Sequence, residues 1–419
     1  MLLKCTRMVS VGASLPMYKY MPNKTSYSTW MVSQLEDAGC LFVKIGQWIA
    51  GRTDIFPADV TGPLTALQTD VRPMHPDDVM EVLGAERVTF DHFDPTPISC
   101  GSIAQVHRGR RDGREVAIKI QRPGLLEELD EDLKLVKAML VLLKLRNPKS
   151  YEDAVTSLDD LGRTILKETD FVAEGRHMER FRSFFEETDP TIVVPKVYHA
   201  TRTVLVMEYV PAQPIASVSR TANDLCIRLI DMFMRQFLEF GYVHSDLHAG
   251  NLGVKLGENG DMQDTIVMYD FGSVLKCPQS VRTCFKRLLV SYLNRDAGIM
   301  LDYMLEYNVI RRRSALTPEQ RVTLESFVQS VIEYAETTDM ATFQNAVKAI
   351  PIPGTLPEIQ FRPEVFMIIR SFTLLEGLCK TVDPNFTIVN ALIPFATSLL
   401  ADPEMYRFKV EDDVRALFR

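Results

Sequence analysis

Apolar residues recur at helical spacing between residues 28 and 50, at Trp30, Leu35, Leu41, Phe42, Ile45 and Ile49, until Thr53, Asp54 and Pro57 break the pattern. A short helix is predicted over 76–84, with Pro76 in its first turn. From Val88 the spacing shortens, and Val88–Phe93, Ile103–His107 and Val116–Ile120 read as antiparallel strands. Asp112-Gly113, between the last two, supplies the positive φ of a tight hairpin. Residues 124–145 and 152–185 return to helical spacing, Val193–Tyr198 and Thr203–Tyr209 predict two further strands, and Pro211–Pro214 marks a linker. Leu225, Leu229, Phe233, Phe237 and Phe240 then recur nearly every four residues and stop at Gly241, a helix cap. A strand pair at Leu252–Lys255 and Thr265–Tyr269 flanks the turn-rich Gly257–Asp264, and everything after Pro278 predicts helices with short connections.

The pattern is α+β: a small antiparallel sheet preceded by a helical extension, then a mostly helical second half. It predicts two lobes joined near Glu208–Gln213. The expected divisions are an N-terminal segment over 1–32, a helical extension over 33–84, a sheet-bearing lobe over 85–210 and a helical lobe over 211–419.

Composition narrows the function classes. A chain of 419 residues is long enough for a two-lobed core. Its net charge of -8 argues against nucleic acid as the main partner, because phosphate binding favours a basic surface. The seven cysteines are scattered, with no CxxC pair, which suits reduced thiols rather than a secreted disulfide framework. No apolar run approaches the roughly 18 residues of a spanning helix. Residues 1–35 carry Lys4, Arg7, Lys19 and Lys24 and no acid. An organelle transit peptide and a mis-started chain both look like this. Helices with apolar faces leave peripheral membrane contact open.

The most informative stretch is His244-Ser245-Asp246-Leu247-His248-Ala249-Gly250-Asn251, followed by Asp270-Phe271-Gly272 at the end of a strand. This is the HxDxxxxN plus DFG arrangement of kinase-fold phosphoryl transfer. Mg²⁺ prefers hard oxygen ligands, which Asn251 and Asp270 supply, and a carboxylate at Asp246 can orient or deprotonate an acceptor. Isolated Asp and Asn residues mostly cap turns, but the order and spacing of both motifs argue against that here. His244 reads as structural within the loop, and His248 as a candidate contact to nucleotide or acceptor. A rival reading takes His244, Asp246 and His248 as a transition-metal hydrolase set. It leaves the residues described next unexplained.

Upstream, Val116-Ala117-Ile118-Lys119 predicts a buried strand bearing a lysine that points at phosphates and needs a carboxylate to hold it. Candidates lie in Lys167-Glu168-Thr169-Asp170-Phe171-Val172-Ala173-Glu174, read as one helix with Asp170 and Glu174 on one face and Glu168 on another. No GxGxxG or GxxxxGK[ST] occurs. In the place of a glycine-rich loop stands Pro97–Val106, with the single glycine Gly101.

These residues together resemble the UbiB family of aarF-domain-containing, kinase-like proteins. Phe42-Val43-Lys44-Ile45-Gly46-Gln47 is similar to its KxGQ motif, and Glu168 with Asp170 to its ExD motif. Lys119, Glu174, Asp246, Asn251 and Asp270 fall on its lysine, helix-C glutamate, catalytic-loop pair and metal aspartate. Arg370-Ser371, Leu375-Glu376-Gly377 and Asp383-Pro384-Asn385-Phe386 are similar to its C-terminal helices. Ser99-Cys100-Gly101 departs from the family's alanine-rich loop. The resemblance implies a bilobal protein-kinase-like fold that binds ATP or ADP with Mg²⁺. Nucleotide contacts would come from Ser99, Cys100, Gly101, Ser102, Val106, Ala117, Lys119 and the linker residues Glu208, Tyr209 and Val210. Lys44, Gln47, Glu168 and Asp170 would form a gate. It also implies ATPase or small-molecule phosphotransferase activity on a lipid or prenylquinone precursor, supporting coenzyme Q biosynthesis or organelle lipid homeostasis. A mitochondrial setting is expected, with plastid and cytoplasm as alternatives. The competing expectation is a nucleotide-dependent lipid-binding scaffold without turnover.

Overall fold

A computed structural model describes the chain except 1–3, 5, 8–9, 12–23, 51–57, 65–66, 68–70, 145–147, 216–221, 258–261, 294, 313–315, 338–358, 384–385, 404, 408 and 411–419. The expected break at Thr53–Pro57, most of the 1–32 segment, the centre of the Gly257–Asp264 turn and Pro384-Asn385 lie outside the described residues. Two compact units make up the rest: Met1–Pro211 with Met268–Ser273, and Ala212–Val267 with Val274–Arg419.

The first unit opens with α1 (Lys24–Ala38), α2 (Cys40–Ala50) and α3 (Ala58–Leu64). The single helix expected over 28–50 is two, because Gly39 takes φ 116°, which turns the chain out of the helix. Leu35, Phe42, Val43, Leu64 and Leu67 form the shared core of this extension, with Leu135 packed into it. After α4 (Pro76–Ala85) comes a five-stranded antiparallel sheet in the order β1 (His92–Cys100), β2 (Ala104–Arg111), β3 (Arg114–Gln121), β6 (Val204–Glu208), β5 (Val197–Ala200). Asp112 (φ 52°) and Gly113 (φ 73°) close the two-residue hairpin between β2 and β3 as expected. Of the expected strand Val88–Phe93, only His92 and Phe93 are strand, at the start of β1. Val88 is buried with Val79, Val82 and Leu83 of α4 beneath Val116, Ile118 and Ile120, so its hydrophobicity reflects packing rather than pairing. Likewise Val193–Tyr198 divides into a two-residue strand, β4 (Ile192–Val193), and β5.

β3 lies between β2 and β6, and successive side chains alternate across the sheet. Val116, Ile118 and Ile120 fill the core on one face, which turns Ala117, Lys119 and Gln121 to the other. Two further helices, α5 (Leu125–Lys144) and α6 (Pro148–Glu168), lead to α7 (Phe171–Thr188), which packs on β5 and β6. Gly175 of α7 comes so close that a methyl group there would lie 3.3 Å from Ala200 Cβ and 3.4 Å from Leu205 Cδ1. The helix expected over 152–185 is thus broken at Thr169–Asp170, where Asp170 begins a new helix by accepting the Ala173 N–H at 2.9 Å.

In the second unit, β7 (Ala212–Pro214) pairs with β9 (Leu252–Leu256), which lies beside β10 (Met262–Met268). α8 (Ala222–Met234) continues as a π-helical turn over Arg235–Phe240 and ends at Gly241, φ 77°. Gly241 suits this cap because its φ is one that residues with a side chain rarely adopt. β8 (Tyr242–His244) follows and pairs with β11 (Val274–Lys276). The rest of the described chain is helical, α9 (Gln279–Tyr292), α10 (Ala297–Glu306), α11 (Pro318–Thr337), α12 (Pro363–Val382) and α13 (Ile388–Leu399), apart from an antiparallel pair of β12 (Ile310–Arg312) and β13 (Ile359–Phe361) that the helical pattern did not foretell. Phe233 of α8 meets Phe372 of α12 at 4.7 Å, and Phe372 stacks on Phe285 of α9 at 5.9 Å. Among the described residues no helix is long and apolar enough to cross a membrane.

Candidate functional site

In the first unit the alternation of β3 and the packing of α7 bring Lys119 to Glu174. Lys119 Nζ donates to Glu174 Oε1 at 2.7 Å and Oε2 at 2.9 Å, and to Asp270 Oδ2 at 2.9 Å. Burial alone would lower the amine, but Asp270 and Glu174 outweigh it and hold Lys119 above its ordinary value. Burial pushes the Glu174 carboxyl up to about 7, against the pull of Lys119. Two short bonds to one amine favour the ion pair over its neutral form. Glu174 Oε1 also accepts the Phe271 N–H at 3.3 Å, and the Phe271 ring lies 5.0 Å from Phe181 of the same helix. Asp270 Oδ1 accepts the Gly272 N–H at 2.9 Å.

Beside this triad lie the residues expected to gate. Lys44 Nζ pairs with Glu168 Oε2 at 2.5 Å. Glu168 ends α6 next to Gly272, where a methyl group would lie 3.6 Å from the Glu168 Cα. The other two members sit elsewhere. Gln47 donates to the Leu67 carbonyl at 2.7 Å, and Gly46 admits Leu67 where a side chain would collide with it. Asp170 is an exposed N-cap, so the like-charge conflict expected between it and Glu174 does not arise: Asp170 precedes the helix that Glu174 belongs to.

The loop between β1 and β2 is shorter than expected. Pro97–Cys100 belong to β1, with Ser99 opposite Val106, and only Gly101–Ile103 turn. The Gly101 N–H donates to the Ala104 carbonyl at 2.8 Å, and Ser102 is buried. Ser99 is exposed, Cys100 and Val106 half-buried, and Val106 lies opposite Lys119 in the sheet register. Ala117 is buried on the Lys119 face, while Glu208 lies opposite Val116 and Tyr209 donates its N–H to the Glu115 carbonyl at 3.3 Å. Val210 is buried just beyond. Sequence reasoning missed Arg122, whose guanidinium donates to the Gly101 carbonyl at 3.1 Å and the Arg72 carbonyl at 2.6 Å, tying the turn to the extension. An arginine after a strand carries no local signal of such a bond.

The second unit holds Asp246 and Asn251. Asn251 Nδ2 donates to the Asp246 carbonyl at 3.0 Å, which leaves the amide oxygen as the group a metal would take. His244 Nδ1 accepts the Asp246 N–H at 3.2 Å, and His248 Nδ1 accepts the Gly250 N–H at 3.1 Å. Both rings therefore brace the loop, and among the described residues no cluster of three His, Cys, Asp or Glu side chains forms a metal site. Asp246 Oδ1 receives a bond from Arg370 Nη2 at 3.2 Å, a partner that sequence reasoning did not foresee. The carboxylate of Asp270 and the amide oxygen of Asn251 are the donor types a hard divalent cation takes, so these residues fit Mg²⁺ by chemistry.

Residues 66–304 match the family profile described as the ABC1 atypical kinase-like domain. The chain is 29% identical over 400 residues to an uncharacterized protein of Synechocystis sp., covering 90% of this chain and 68% of that one. It is 26% identical over 387 residues to the Arabidopsis thaliana chloroplastic protein ACTIVITY OF BC1 COMPLEX KINASE 7, covering 89% of this chain and 54% of that one. It thus spans about half the length of its chloroplastic relatives. Among solved structures, the Mycobacterium tuberculosis protein Rv3197, in complex with erythromycin, superposes with a TM-score of 0.55 at 22% identity, over 81% of this chain and 88% of that one. That likeness is one of fold.

Proposed function

Because the chain belongs to the ABC1 atypical kinase-like family, we propose that it binds a magnesium–adenine nucleotide and turns it over, as an ATPase or as a phosphotransferase to a small lipid or prenylquinone-related acceptor. The observation that carries this reading is the buried Lys119 amine held between Glu174 and Asp270. A fixed ammonium on a central strand is the group that kinase-like sites present to phosphates. In this reading Lys119, oriented by Glu174, holds phosphate oxygens. Asp270 and Asn251 would hold Mg²⁺, which when bound neutralises charge on the phosphates. Asp246 orients the acceptor hydroxyl or a water. The Lys44–Glu168 pair anchors the N-terminal extension beside Gly272, which supports a restraint on what else enters. A role in coenzyme Q biosynthesis or organelle lipid homeostasis is part of the proposal. The chloroplastic relatives support a plastid in place of the mitochondrial setting expected above.

Asp270→Asn should abolish the Mg²⁺-dependent thermal shift with ATP, and an unchanged shift would remove Asp270 from the metal role. Asp246→Ala should keep that shift and slow phosphate release about 100- to 10,000-fold. One observation favours a scaffold without turnover: the Gly101–Ile103 turn spends its Gly101 N–H on Ala104 and buries Ser102, leaving few donors for phosphate. Phosphate release by purified protein, with and without prenylquinone precursors and lipid vesicles, separates the two. A Mg-ATP shift without release under any condition selects the scaffold.

A further inference from the structure

Asp246 is fixed at its backbone by its own loop. Its N–H donates to His244 Nδ1, and its carbonyl accepts from Asn251 Nδ2 and from the His248 N–H, each at 3.0 to 3.2 Å. None of these bonds touches the carboxylate, so none selects the side-chain torsions that aim it. Among the described residues, the hydrogen bond to the carboxylate comes from 124 residues along the chain, where Arg370 Nη2 donates to Oδ1 at 3.2 Å. The other oxygen, Oδ2, lies 3.9 Å from His248 Nε2, beyond hydrogen-bond reach.

The mount of Arg370 is firmer than its side chain. The guanidinium-bearing side chain is 53% exposed, yet the flanking Ile368, Ser371 and Phe372 are buried. Phe372 is gripped by Phe233 of α8 and Phe285 of α9. The chain of α8 runs through the π-helical turn, Gly241 and the short strand β8 into the loop of Asp246. Arg370 therefore projects from a packed backbone that is locked to the element feeding that loop. An ion pair this exposed adds little to stability, which leaves orientation as its physical consequence.

We infer that Arg370 is a positioning residue: it holds the Asp246 carboxylate in the orientation from which the acceptor hydroxyl or water is addressed. This rests on the acceptor-orienting role given to Asp246 above. A guanidinium suits the task because its planar fork directs the bond, whereas an ammonium supplies charge without direction.

In the 419-residue chain, Arg370→Ala should leave the Mg-ATP thermal shift and the KM for ATP within twofold of wild type. It should lower kcat for phosphate release about 10- to 100-fold, the scale of a misaimed catalytic group. Arg370→Lys should recover part of the loss, and in an Asp246→Ala background Arg370→Ala should cost nothing further. An unchanged kcat, or an equal loss in the Asp246→Ala background, overturns the inference. A raised kcat does so too, marking the pair as a restraint. If wild-type protein releases no phosphate, the turnover reading falls, and a crystal structure of Arg370→Ala decides this one. A displaced Asp246 carboxylate supports positioning, and a carboxylate in its present place overturns it.

Discussion

Lys119 and Glu174 meet almost out of water, their side chains 8% and 1% exposed. Taking two charges out of solvent is costly, and removing one partner strands the other. Glu174→Ala should therefore destabilise the protein by about 3 kcal/mol in urea unfolding, the low end for a broken buried pair, because Asp270 remains beside Lys119. The apolar double variant Lys119→Met/Glu174→Leu should regain most of that stability while losing all response to Mg-ATP. A double variant as unstable as the single would mean that packing, not charge, is what the pair supplies. Lys119 was legible because Val116-Ala117-Ile118-Lys119 follows a hairpin turn that only Asp112-Gly113 could signal so plainly. Glu174 was a candidate through its four-residue spacing from Asp170 and through the family resemblance. Arg370 as a partner of Asp246 was not, since an arginine on a mid-chain helix looks like any solvated charge until folding closes 124 residues of separation.

At the level of elements, the reading failed where two helices abut. The apolar spacing of 152–185 runs on without interruption, yet α6 ends at Glu168 and α7 begins at Phe171. The signal that marks the break is Asp170 itself, whose side chain accepts the Ala173 N–H at the new helix start. Asp170→Ala should then cost about 1 kcal/mol by loss of the cap. Asp170→Asn should keep both stability and phosphate release, because asparagine caps as well as aspartate and the negative charge forms no ion pair among the described residues. A large change in turnover with Asp170→Asn at unaltered melting temperature would return Asp170 to a gating role. Lys44 gives the contrast: its bond to Glu168 is an ion pair between the extension and the end of α6, so Lys44 is the member of that motif whose charge matters. The β12–β13 pair escaped notice for a different reason. Each strand is three residues long, too short for any periodicity to register.

For the whole molecule, the α+β order of sheet-rich and then helical segments was readable from the change of hydrophobic period alone. What the period did not carry is that Met268–Ser273, flanked on both sides by chain of the second unit, packs as part of the first. The reason is physical and local. Phe271 is fully buried against Phe181, its N–H is held by Glu174, and its carbonyl accepts from the His177 ring at 3.2 Å. Asp270 completes the partners of Lys119. A fragment ending at Pro211 would lack all of these, exposing Phe181 and leaving a buried ammonium with one carboxylate. We expect the 1–211 fragment to show no cooperative urea transition, whereas the full chain should lose its near-UV aromatic signal and its far-UV helical signal together. If the fragment unfolds sharply at the midpoint of the full chain, the first unit is self-sufficient, and Phe271 stabilises the site's geometry rather than the unit that carries it.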